Sequence, residues 1–252
     1  MEQRTYGELD VQIASSNAEL GEAAAAAFAE TVTAALADHD RIAVILATGN
    51  SQLSFIQAIR RHPHVDWSRI TVLHMDEYLG MSDDHPASFR RWMREKLLDH
   101  TEVDGFHGMA GDHEPIEEEV RRYSGLLQTL EPVVCVMGIG ENGHLAFNDP
   151  PADFDTDDLV HVVELDEPCR MQQVSEGHFP DLDATPTRAV SLTIPALLRP
   201  STVLVLCPEE RKAEAVRRCL TEPVSPDRPA SILTTVPHAR LYLDHESASL
   251  LE

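Results

Sequence analysis

The chain has 252 residues, 43 acidic and 20 basic, for a formal net charge of −23. That length suits one large domain or two small ones with a core that needs no disulfide or metal staple. Its 42% apolar and 25% charged residues exclude general disorder, and so acidic a surface argues against a nucleic-acid-binding protein, because it repels phosphodiester backbones.

The N-terminal stretch MEQRTYGELD lacks the basic and apolar regions of a signal peptide. Residues 17–38 are alanine-rich and set Leu20, Ala24, Phe28, Val32 and Leu36 on one helical face. Residues 42–46 form a uniformly apolar run, predicted as a buried strand, and a second helical pattern runs through Leu53, Phe55, Ile56 and Ile59. A strand is predicted at 70–75, a helix at 85–100, a charged helix at 114–131 and a third buried strand at 133–137. Further strands are read at 159–165, 188–192, 201–207 and 239–243, with a helix at 208–220.

Apolar strands alternating with helices predict an α/β fold: a three-layer α/β/α, Rossmann-like open sheet, mostly parallel. The reading is a single domain over residues 1–252. The Pro/Asp-rich 150–158 and the polar 169–186 suggest a lid within residues 150–187. The longest uncharged apolar stretch, residues 189–198, is too short and mixed to span a bilayer. Cys135, Cys169, Cys207 and Cys219 are scattered without a CxxC pair, as expected of reduced thiols in a cytoplasmic protein. The histidines lack HExxH or comparable spacing, so no metal is implied.

In open α/β sheets ligands bind beyond the carboxyl ends of the strands, and three predicted strand exits carry polar residues. At the first, Thr48, Gly49, Asn50 and Ser51 offer backbone N–H groups and hydroxyls that suit a phosphate; an ordinary helix cap by Asn50 or Ser51 is the alternative. At the second, Asp76 and Glu77 are adjacent, so their side chains diverge on an extended chain. One could act as a base while the other is held in structure, or both could belong to a solvated acidic turn. At the third, glycines surround Asn142 and His144. A histidine there suits proton transfer near neutral pH, with Asp149 orienting its ring, or it caps a turn.

The segments LATGNSQ, VLHMDEYLGMSDDHPASFRRWM and VMGIGENGHLAFNDPP, in this order, resemble the glucosamine-6-phosphate deaminase/isomerase family, which is related to 6-phosphogluconolactonases and ribose-5-phosphate isomerases. Weaker similarity continues through RKAEAVRRCL and PASILTTVPHARLYLD. The resemblance implies an enzyme, a hydrolase or isomerase in class, that converts glucosamine 6-phosphate to fructose 6-phosphate and ammonia with no metal and no cofactor. It implies Asp76 as the base moving a proton between C2 and C1, and His144 as the ring-opening group. Asp149 then supports His144 where the family usually has glutamate, and Asn142 stands where many members carry aspartate. Arg170, Lys212 and residues 48–51 are implied to hold the sugar phosphate. Three alternatives are a galactosamine-6-phosphate deaminase, a 6-phosphogluconolactonase, and a sugar-phosphate sensor without chemistry. The expected partner is a small sugar phosphate, with no nucleic acid and no membrane. Oligomeric state is left open, a homo-oligomer included.

Overall fold

The computed structural model describes residues 1–175 and 177–251. A hairpin missing from the sequence reading opens the chain, with β1 (Glu2–Tyr6) antiparallel to β2 (Leu9–Ala14). Ser16 then accepts a hydrogen bond from Glu19 N–H (3.2 Å), while the Glu19 carboxylate accepts one from Ser15 N–H (2.6 Å). This reciprocal cap starts α1 (Asn17–Asp38). Next come β3 (Ile42–Leu46), α2 (Leu53–Ile59), β4 (Ile70–His74) and β5 (Asp76–Tyr78). They are followed by α3 (Phe89–Lys96), β6 (Gly105–His107), α4 (Ile116–Leu130) and β7 (Val134–Met137). The second half holds β8 (Val160–Glu164), α5 (Glu167–Ser175), β9 (Arg188–Leu192) and α6 (Ile194–Leu198). It closes with β10 (Thr202–Cys207), α7 (Ala213–Thr221) and β11 (Ala239–Asp244).

Eight strands form the main sheet in the order β1-β2-β11-β10-β7-β3-β4-β6, parallel throughout except for β1. Side chains alternate across it. Val44 and Leu46 face a core formed with α1, α2 and α3, including Phe28, Phe55 and Met93. Ala43 and Ile45 face the opposite core, with Tyr123 of α4, Leu197 of α6 and Val216 of α7. These are the expected three layers. By composition and length α1 could cross a membrane, but Leu20, Ala24, Phe28 and Val32 are packed in the core.

Two departures matter for the site. The predicted strands around 160 and 190 do not join the main sheet; β8 and β9 pair antiparallel with β5 in a small separate sheet, ordered β5-β9-β8. The chain leaves the main sheet at Met75, whose carbonyl accepts from Leu192 N–H (2.8 Å). The predicted helix at 85–100 begins only at Phe89, because Pro86 occupies a turn and Ser88 is the N-cap, its hydroxyl accepting from Arg91 N–H (3.3 Å).

Candidate active site

From β3 the sheet grows one way through β4 to β6 and the other way through β7, so the strand order reverses between β3 and β7. That is where ligands enter such sheets. A cleft opens at these strand ends, lined by residues 48–51 after β3, Met75 and Asp76 after β4, Gly138–Gly140 and His144 after β7, and Lys212 after β10. Its space unfilled by atoms amounts to about 670 Å³, open to solvent.

Asp76 and Glu77 diverge as an extended chain requires. Asp76 faces the cleft with only 8% of its surface exposed. Burial, followed by the neighbouring Glu77 charge, pushes its carboxyl up to about 8. Glu77 is fully buried on the other side and accepts from Ser88 Oγ (2.8 Å) and from the N–H groups of Tyr78 (3.1 Å), Phe89 (3.2 Å) and Arg90 (3.1 Å). Glu77 thus ties the start of α3 to β5 and fixes the strand that presents Asp76. Burial raises its carboxyl, and the four donors pull the other way. Glu77 is therefore the acid held in structure and Asp76 the one left facing the cleft, and neither lies in a solvated turn.

His144 and Asp149 meet with Nδ1 3.1 Å from Oδ1. Asn142 joins them: its Oδ1 accepts from His144 N–H (3.0 Å) and its Nδ2 donates to Asp149 Oδ1 (2.9 Å). A carboxylate at 142 would face Asp149 with like charge, so the amide suits this pairing. Burial would raise the Asp149 carboxyl, but His144, Asn142 and the Cys169 thiol beside it hold it below its usual range. The thiol of Cys169, buried on α5, is itself pushed up by burial and by Asp149.

Gly140 packs directly under His144. A β-carbon there would lie 2.3 Å from ring atoms Cε1 and Nε2, so Gly140→Ala must move the ring. A displacement of this kind is expected to cut kcat about 100-fold while the circular dichroism spectrum and melting temperature stay near wild type; an unchanged kcat would remove His144 from the chemistry.

The loop after β3 runs Gly49 (φ 99°) into a short 3-10 turn, Asn50–Gln52. Among the described residues no side chain caps that turn or α2, so Asn50 and Ser51 do not make the cap that was the alternative. Ser51 Oγ accepts from Gln52 Nε2 (3.0 Å) instead. Lys212, 4% exposed, lines the same cleft. Just outside it, Arg211 pairs with Glu141 (2.7 Å) and Glu209 (2.6 Å).

The structure does not bring Arg170 to the cleft. Its guanidinium donates to the carbonyls of Leu182 and Thr185 (3.0 Å to the latter) and braces the loop behind α5, because those carbonyls lie nearer than the cavity. Residues that sequence reasoning missed take places in the wall. Gln173 on α5 is held by Tyr78 Oη, which donates to its Oε1 (2.8 Å), and His178 follows it. Phe89 and Phe147 add a stacked apolar side with centroids 5.9 Å apart. Only the placement of 169–186 as a suspected lid pointed toward Gln173 and His178.

Comparison with known proteins bears on this arrangement. Residues 15–242 match the family described as glucosamine-6-phosphate isomerases/6-phosphogluconolactonase. The chain belongs to that family. It is 36% identical over 206 residues to the glucosamine-6-phosphate deaminase of Exiguobacterium sibiricum, covering 82% of this chain and 80% of that one. It is 34% identical over 207 residues to the deaminase of Streptococcus pneumoniae strain 70585, covering 82% and 86%. The solved structure of a monomeric glucosamine-6-phosphate deaminase superposes with a TM-score of 0.88 at 30% identity, covering 95% of this chain and 99% of that one. The 6-phosphogluconolactonase of Trypanosoma brucei superposes at 0.78, covering 100% of both chains, but at 18% identity this likeness concerns the fold alone.

Proposed function

We propose that this family member is a glucosamine-6-phosphate deaminase/isomerase, converting glucosamine 6-phosphate and water to fructose 6-phosphate and ammonia. The observation that carries the reading is Asp76, a buried carboxyl with a raised proton affinity, lining one cleft with Lys212 and with His144, which pairs with Asp149. In this reading residues 48–51 and Lys212 hold the phosphate, Lys212 as a point charge, while His144 moves the proton that opens the sugar ring. Asp76 takes the C2 proton, made acidic by the C1 aldehyde, and returns it at C1. The resulting C2 iminium adds water and loses ammonia. Binding energy from the remote phosphate orients C1 and C2 against Asp76.

The apolar wall of Phe89 and Phe147 and the residues of α5 favour a cover over the cleft, with α5 and residues 177–186 as the lid. Every group named comes from one chain, so the chemistry needs no second copy. A charged sugar phosphate as substrate supports a cytoplasmic reaction.

Parallel assays with glucosamine 6-phosphate, galactosamine 6-phosphate and 6-phosphogluconolactone test the assignment. Ammonia release is expected with the first in preference to the second, and no lactone hydrolysis; the reverse pattern would overturn it. Residues 150–168 contain no Lys or Arg that could bind an activator phosphate. Initial-rate curves are therefore expected to be hyperbolic and unmoved by N-acetylglucosamine 6-phosphate, and activation by that compound would refute this.

A further inference from the structure

Among the described residues, one group of side chains has the composition and spacing of a metal site, although no local motif encodes it. His144 Nδ1, an Asp149 carboxylate oxygen and Cys169 Sγ all lie within 4.8 Å of one another. They come from three places: the loop after β7, the turn five residues on, and the lid helix α5. Cys169 is 1% exposed. Two buried atoms of the group, His144 Nδ1 and Asp149 Oδ2, meet no hydrogen-bond geometry, although the imidazole and the Cys169 thiol lie close enough to Asp149 to hold its carboxyl low. Nδ1 lies 3.1 Å from Asp149 Oδ1, yet the ring is not oriented for a hydrogen bond to it. Buried polar atoms with imperfect hydrogen-bond geometry recover little of their lost solvation, and these two converge with a thiol on the same small space.

We infer that His144, Asp149 and Cys169 form an inhibitory site for a borderline-soft divalent cation, Zn²⁺ in particular. One imidazole nitrogen, one carboxylate and one thiolate are a zinc donor set, and zinc prefers four-coordinate geometry with donors at about 2.0–2.3 Å. Donors already within 4.8 Å of each other reach that geometry by small rotations of the Cys169 and His144 side chains, with a water in the fourth position. Binding replaces the Cys169 S–H bond by an S–Zn bond and releases the proton to solvent, so affinity rises with pH.

The metal does not serve the reaction. It occupies the Nδ1 and the carboxylate that support ring opening, and it fastens α5 to the loop after β7. It therefore acts as an inhibitor and as a clasp on the lid. The site stands on the side chains alone, whereas the inhibition rests on the proposed function.

The test has a readout that needs no substrate. The purified chain is titrated with Co²⁺, followed by Zn²⁺ competition, and absorption is recorded in the near ultraviolet, where thiolate-to-cobalt charge transfer appears. A single equivalent is expected to develop the band and Zn²⁺ to abolish it. The band should persist in Cys219→Ser and vanish in Cys169→Ser, with Zn²⁺ affinity falling at least about 10–100-fold, the cost of losing even an outer partner. Zn²⁺ should also raise the melting temperature of the wild type and not of Cys169→Ser, a reading independent of spectroscopy. Absence of the band, or a band equal in wild type and Cys169→Ser, overturns the inference. Deaminase assays with and without chelator then separate the two proposals. Metal binding by a protein inactive on glucosamine 6-phosphate would refute the function and leave the site. An active enzyme without the cobalt band would do the opposite.

Discussion

Replacing Asp76 by Asn is expected to abolish turnover and to make the protein more stable. Asparagine keeps the shape of the side chain but cannot take a proton from C2, and a positioned general base contributes about 10²–10⁴-fold. Binding of the sugar phosphate, which relies on residues 48–51 and Lys212, should survive. The stability gain follows from linkage. The Asp76 carboxyl is raised to about 8 in the folded chain from an ordinary 3.8. Between those values the folded state holds a proton that the unfolded state has lost, so stability falls as pH rises through that window. At neutral pH retaining that proton costs the fold on the order of 1–4 kcal/mol, at about 1.36 kcal/mol per pH unit. Asn removes that cost, and a chain of this size gains about 2–4 °C per kcal/mol. Kinetics and thermal melts of the same preparation check both halves. Retained activity would exclude Asp76 as the base, and a lowered melting temperature would contradict its buried, charge-averse setting. Because the base works ionised, kcat/KM of the wild type should climb with pH and level off above about 8.

Lys212→Ala is expected to act at the other end of the substrate. Lys212 is almost fully buried and lines the cleft together with residues 48–51, where a charge-assisted hydrogen bond to phosphate is worth about 1.5–3 kcal/mol. KM should rise about 10–100-fold. The decrease in kcat/KM should be at least as large, because phosphate binding also orients the reacting carbons. Arginine should rescue poorly, since its planar fork does not fit where a compact ammonium stood. An unchanged KM would remove Lys212 from the phosphate site. The acidic composition makes this test sharper. With a net charge of −23 and a screening length of about 8 Å at physiological salt, distant acids matter less than one buried cation.

What the sequence made legible was local. Residues 42–46 and 133–137 read as buried strands because they are apolar on both faces, and α1 because its alanine-rich face repeats at helical spacing. The strand exits pointed to the loop at 48–51, Asp76 and His144, which the structure gathers at one cleft. What was not legible depends on contacts between distant segments. The small sheet requires Asp76 to pair with Ser191 and Tyr78 with Ala189, and no periodicity in either segment announces that pairing. The N-terminal hairpin was missed although Leu9, Val11 and Ile13 alternate in β2, because β1 beside it is polar. Arg170 was placed in the phosphate site only by what the family resemblance implied. The fold instead gives its guanidinium two backbone carbonyls that only the looping of 181–185 supplies. Cys169 read as a plain reduced thiol, and only the docking of α5 brings it to Asp149.

The most direct measurement of the central claim is the product balance from glucosamine 6-phosphate, with wild type and Asp76→Asn side by side. The wild type should release ammonia and fructose 6-phosphate in equal amounts, and Asp76→Asn should release neither while still binding the substrate. No ammonia from the wild type, or the same ammonia from both proteins, would contradict the account.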